Sequence, residues 1–136
     1  MADKITVETL VNASVEKVWH HWTTPASIEK WNHASDDWHC PFAANNLVVG
    51  GKFVYTMAST DGEMSFDFEG VYTEIRLNEK IKYLIVDGRE VEITFTQLGE
   101  KTRVTEVFDP ENVHPAALQQ AGWQSILDNF KKVTEE

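Results

Sequence analysis

The sequence is short of several things, and each shortage narrows what the chain can do. One cysteine, Cys40, stands among 136 residues, so no disulfide can close within the chain and a reducing, cytoplasmic setting is expected. Four prolines and seven glycines are too few for a fibrous or Pro/Gly-rich disordered composition. The longest uninterrupted apolar run is Tyr83-Leu84-Ile85-Val86, far below the ~20 residues of a membrane-crossing helix. Met1 to Lys4 lacks the charged-then-apolar layout of a secretory signal. Basic residues are scarce: 12 Lys and Arg against 22 Asp and Glu leave a formal net charge of −10. Nucleic acids and anionic membranes are held by clustered basic side chains, so this balance argues against both as partners. Aromatic side chains, in contrast, are plentiful: seven Phe, five Trp and three Tyr. Rings are bulky and rigid, so they pack a dense core or wall a cavity. The length suits one domain, taken as residues 1–136.

Alternation from Ile5 to Glu8 predicts a half-buried strand over residues 4–11. Ser14 is an N-cap, Glu16 lies in the first helical turn, and Val15, Val18, Trp19 and Trp22 form one apolar face. Thr24-Pro25 restarts a second short helix, with Ile28 and Trp31 on its inner side. Residues 32–46 are polar and irregular and read as the longest loop. From Gly50-Gly51 the chain reads as an antiparallel meander, turned by Asp61-Gly62, Asn78-Glu79, Asp87-Gly88 and Gly99-Glu100. Gly70 marks a bulge in the long strand 64–75, and a further short strand fits near 47–49. Beyond Asp109-Pro110, the stripe Gly122, Trp123, Ile126, Leu127, Phe130 and Val133 predicts a long terminal helix, and Gly122, which lacks a Cβ, is expected to let that helix approach the sheet closely. Strands in the middle with helices early and at the end make an α+β fold.

The run Ala13-Ser14-Val15-Glu16-Lys17-Val18-Trp19, then Thr24-Pro25-Ala26, Gly50-Gly51-Lys52-Phe53, Phe66-Asp67-Phe68-Glu69-Gly70-Val71-Tyr72, Phe108-Asp109-Pro110-Glu111 and Gly122-Trp123-Gln124-Ser125 carry a resemblance along the whole chain. The sequence resembles the START-like (SRPBCC) superfamily, and within it bacterial homologues of the activator of heat-shock-protein-90 ATPase. Val15 stands where many relatives carry proline, which alters a helix start. The resemblance implies a helix-grip fold: a curved antiparallel sheet of six to seven strands wrapped around the C-terminal helix, with two short helices after the first strand. It implies a cavity between sheet and helix, where superfamily members hold lipids, sterols, polyketides or hormones and some catalyse cyclisation. It does not imply that the chain activates a chaperone.

Phe53, Tyr55, Met57, Met64, Phe66, Phe68, Tyr83 and Phe95 alternate with polar residues and are assigned to one concave face, opposed by Trp123, Leu127 and Phe130. Trp31, Trp38 and Phe42, with His39 as the polar contact, are assigned to the entrance beside the loop 32–46. The expected ligand is a small hydrophobic or aromatic molecule, held without cofactor. No metal motif is present: His33, Asp36, Asp37, His39 and Cys40 cluster without zinc-ligand spacing, and His20-His21 point apart on a helix. Nor is there a nucleophile elbow or phosphate loop, so no catalytic residue is assigned. Two other readings stand beside binding. A cyclase- or hydrolase-like enzyme would use His39, Asp37 or Tyr55 as acid–base groups. A chaperone-linked adaptor would need an exposed apolar patch away from the cavity.

Overall fold

The computed structural model describes residues 3–136. Its elements are β1 (Ile5–Val11), α1 (Val15–Thr23), α2 (Pro25–Trp31), β2 (Trp38–Asn45), β3 (Lys52–Ser59), β4 (Ser65–Arg76), β5 (Lys80–Ile85), β6 (Glu90–Leu98), β7 (Lys101–Phe108) and α3 (Ala116–Glu135). The seven strands form one antiparallel sheet in the order β1-β7-β6-β5-β4-β3-β2. The sheet curls into a half-barrel around α3, with α1 and α2 beside the helix, which is the helix-grip arrangement.

Local chemistry explains most of these boundaries. The Ser14 hydroxyl accepts from the Lys17 amide at 3.3 Å and starts α1, whose buried face is Val15, Val18 and Trp19. Pro25 opens α2, although the Thr24 side chain caps nothing and turns instead to His20. Asp61-Gly62 and Asp87-Gly88 make tight turns, each glycine taking a positive φ, 77° and 93°. On β7 the inward positions are Thr102, Val104, Glu106 and Phe108, all buried.

α3 lies along the free edge of β1. The carbonyls of Thr6, Glu8 and Leu10 point out of that edge and accept from Gln120, Gln124 and Lys131 at 3.1, 3.1 and 2.9 Å. Four helical residues rise about 6 Å and two strand residues about 6.8 Å, so Gln120 and Gln124 keep step with Thr6 and Glu8, while Lys131, further along the helix, reaches Leu10 with its longer side chain. Gln119 fastens the preceding loop, donating to the carbonyls of Glu111 and His114 and accepting from the Glu111 amide.

Four expectations are corrected. Residues 38–45 form the edge strand β2 rather than part of a loop; pairing slips between His39 and Phe42, around Pro41, and erases the alternation that marks a strand. Leu47, Val48 and Val49 lie outside any strand. The irregularity of β4 falls between Tyr72 and Glu74, not at Gly70. Gly70 is instead a contact residue: a Cβ there would lie 2.6 Å from the Phe53 ring and from the Leu84 carbonyl oxygen. Finally, Gly122 does not mediate close approach of α3 to the sheet, because nothing stands within 4 Å of a Cβ built on it.

Candidate functional site

A cavity of about 200 Å³ opens between α3, the α1–α2 pair and the concave side of the sheet. Trp22 and Trp31 reach it from α1 and α2, with Asn32 just beyond. Tyr55 and Met57 come from β3, Phe66 and Phe68 from β4, and Tyr83 from β5. Trp123 and Ile126 on α3 close the other side, and Glu106 on β7 completes the wall. The strand residues arrive by period-two alternation from neighbouring strands, and the helical ones lie one turn apart.

The rings brace one another. Trp22 and Trp31 lie 4.9 Å apart, each with its edge or face on Phe130 at 4.8 and 5.0 Å. Trp123 stacks on Phe108 at 3.8 Å with the planes 11° apart, and meets Phe68 edge-on at 6.3 Å. A cavity framed this way keeps its shape when empty, because each wall ring is backed by another.

The structure brings together seven of the residues assigned to the ligand: Trp31, Tyr55, Met57, Phe66, Phe68, Tyr83 and Trp123. It places six elsewhere. Phe53 is buried behind the lining, 4.9 Å from Tyr55 and 4.7 Å from Tyr83. Phe95 packs edge-on to Trp19 at 5.3 Å, and Leu127 is fully buried in the core. Trp38 stops at the rim, 5.9 Å from Phe66. His39 and Phe42 are exposed, because the slip in β2 turns both away from the concave side. Met64 precedes β4 and is exposed as well, so it does not share that face.

Four wall residues were not assigned to the site from sequence. Trp22 and Ile126 lie on the apolar helix faces that the sequence predicts, and their share in the cavity is new. Asn32 follows α2 at the start of the segment expected to be a loop. Glu106 is the informative omission. Its carboxyl is buried, sits among apolar neighbours, and is pushed up to about 8 by burial alone. Its neighbours across the ladder are Val7 and Ile93, both buried. The signal was in the sequence: Glu106 falls two residues after Val104 and two before Phe108, on the apolar side of the strand.

The acid–base groups considered for an enzyme do not converge. Asp37 accepts from the Ser35 hydroxyl at 2.5 Å on the surface, and His39 is exposed on the other side of the sheet from the cavity. Tyr55 lines the cavity, its hydroxyl held well above the usual phenol range by burial. Cys40 is buried, donates to the Phe42 carbonyl at 3.4 Å, and is pushed up to about 11 by burial, the opposite of an activated thiolate. Among the described residues, no three His, Cys, Asp or Glu side chains gather as a metal site, and no helix is long and apolar enough to cross a membrane.

Comparison with known proteins agrees with this architecture. Residues 12–135 match the family described as Activator of Hsp90 ATPase homolog 1-like protein. The AHSA1-like protein from Aeromonas hydrophila is 44% identical with a TM-score of 0.92, over 97% of this chain and 92% of that one. A protein from Cytophaga hutchinsonii is 54% identical with a TM-score of 0.85, over 98% and 93%. One from Nitrosomonas europaea shares the fold at 18% identity, with a TM-score of 0.82 over 96% and 93%. No curated protein matches. A helix-grip sheet closed on a Gly-Trp helix, together with these matches, places the chain in the Activator of Hsp90 ATPase homolog 1-like family, within the START-like superfamily.

Proposed function

We propose that the chain binds a small hydrophobic or aromatic molecule, without cofactor, in the cavity between the sheet and α3, and does so in the cytoplasm. The observation that carries this reading is the cavity itself: about 200 Å³, walled by rings that are braced from behind rather than collapsed inward. An apolar cavity of about 150 Å³ is enough to take benzene, so this one suits a molecule of one or two rings. The chaperone-linked reading in the family's name would need a docking patch. The most exposed apolar residues, Leu77, Val86 and Val113, instead lie on three separate turns.

Two measurements test the proposal. Native mass spectrometry of protein purified from its own host should show a small organic molecule travelling with the chain. An NMR titration with cumene should shift amides of Tyr55, Phe68, Tyr83 and Trp123 together. A bare mass, combined with no shift at millimolar cumene, would reject the binding role.

A further inference from the structure

Glu106 is the one acidic group on a wall otherwise made of rings, a thioether, an isoleucine and a carboxamide. No Lys, Arg or His lines the cavity to pair with it. Among the described residues its carboxyl has no hydrogen-bond partner, and the Tyr83 hydroxyl beside the same space has none either. Unlike the sealed, unpartnered His33 Nδ1 and Thr134 Oγ1, the Glu106 oxygens open onto the cavity, where an occupant can reach them. Glu106 is also misplaced for packing. Its ladder neighbours Val7 and Ile93 and its strand neighbours Val104 and Phe108 are all apolar and buried, so a Leu or Val at 106 would suit the fold better.

We infer that Glu106 is the recognition element of the cavity and that, as a neutral carboxylic acid, it donates a hydrogen bond to an uncharged acceptor oxygen, of the ketone or amide carbonyl class, on an aromatic ligand. The inference rests on the binding role proposed above and adds the ligand's polar chemistry to it. An aromatic cation is the competing occupant. Seating one would require a bare ion pair in an apolar enclosure, where the loss of hydration of both charges offsets their attraction. A neutral acid facing a carbonyl needs no such exchange. The groups that face Glu106 are themselves uncharged near neutral pH. β5 supplies Tyr83, β3 supplies Tyr55, and both hydroxyls are held above their usual range by burial. The helices supply only Trp22, Trp31, Trp123, Ile126 and Asn32. Burial holds the Glu106 carboxyl at about 8, so the acid keeps its proton at neutral pH.

Three one-ring probes of nearly equal size separate the cases: cumene, which is apolar; acetophenone, which adds a carbonyl; and benzamidinium, which adds a positive charge. Affinities are read by NMR titration at pH 6.5 for the wild-type chain, Glu106→Leu and Glu106→Gln. Cumene reports on the cavity alone. Acetophenone affinity relative to cumene should fall at least about fivefold in Glu106→Leu, since its carbonyl is left unpaired. In Glu106→Gln, whose amide still donates, that ratio should stay within about twofold of wild type. At pH 6.5, where the acid keeps its proton, benzamidinium should bind more weakly than acetophenone. Cumene binding with an acetophenone ratio indifferent to the Leu change would overturn the role of Glu106 and leave the binding function standing. Benzamidinium binding more tightly than acetophenone already at pH 6.5, and lost in the Gln variant, would overturn it in favour of a cation site. Failure of all three probes on the wild-type chain would remove both proposals.

Discussion

Replacing Gly70 and replacing Gly122 with alanine should move stability in opposite directions. At Gly70 the new methyl has no room: the Phe53 ring and the Leu84 carbonyl oxygen both stand 2.6 Å from its position. The backbone oxygen cannot swing aside, and the ring is wedged among Tyr55, Tyr72 and Tyr83. Gly70→Ala is therefore expected to cost about 1–3 kcal/mol, the range for overpacking a core. Gly122 lies inside α3 with open space around it, so Gly122→Ala should stabilise by up to about 1 kcal/mol through helix propensity. Urea unfolding of the two variants checks both signs. From sequence the two glycines invited the reverse reading, a bulge at 70 and a close contact at 122, because a glycine declares freedom and not which use is made of it. Glu106 was more legible than either. Its place two residues from Val104 and from Phe108 marks it as inward, whereas the roles of Phe53 and Phe95 as backing rather than lining depend on the curl of the sheet.

At the scale of elements, α3 is held by two different faces, one polar and one aromatic. Its glutamines and Lys131 saturate the β1 edge, while Trp123 stacks on Phe108, which is fully buried. Trp123 is only half-buried because its other face looks into the cavity. Trp123→Ala should thus cost about 2–4 kcal/mol, toward the low side of the range for large aromatics, and should also weaken cumene binding. Urea unfolding and the NMR titration read the two losses separately; an unchanged midpoint with intact binding would contradict the placement of α3. Gln124→Ala, whose bond to the Glu8 carbonyl is exposed, should cost less than about 1 kcal/mol by the same unfolding assay, because water replaces it. Most elements could be read in advance, since α1, α3 and the meander carry clean periods and Asp-Gly turns. β2 could not. It is an edge strand with one neighbour, Pro41 in its middle and a slipped register, so its inward residues Cys40 and Ala43 stand three apart instead of two. That slip also explains why His39 and Phe42, read as entrance residues, face away from the cavity.

The whole molecule should be most stable in mildly acid solution, and Glu106 is the reason. In the unfolded chain its carboxyl loses its proton near 4.5; in the folded protein it keeps it to about 8. Between those values the native state binds a proton that the unfolded state has released, so stability falls as pH rises from about 4.5 to 8. At about 1.4 kcal/mol per unit the full loss is at most about 5 kcal/mol, and water reaching the carboxyl through the cavity reduces it. Against a total of roughly 5–15 kcal/mol this is a large share. Paired carboxylates act at the other end of the scale. Lys4 holds Asp109 below its ordinary range through a 2.8 Å bond, and Lys131 does the same for Glu135. Their stability is present above the unfolded carboxyl range and is lost as pH drops through the folded values, but these pairs are solvent-exposed and contribute little. His21, lowered by burial, gives a small slope of the same sign below its ordinary 6.5. The acid limb is therefore shallow and the alkaline limb steep, which sets the maximum near pH 5. Glu106→Gln removes the titrating proton while keeping the shape of the side chain. Urea unfolding at pH 5, 7 and 9 should show wild-type stability declining by a few kcal/mol while the Gln variant stays nearly level and becomes the more stable of the two at pH 9. Parallel profiles for the two proteins would mean that the carboxyl ionises freely in the folded state, and that the wall of the cavity is far wetter than its lining of rings implies.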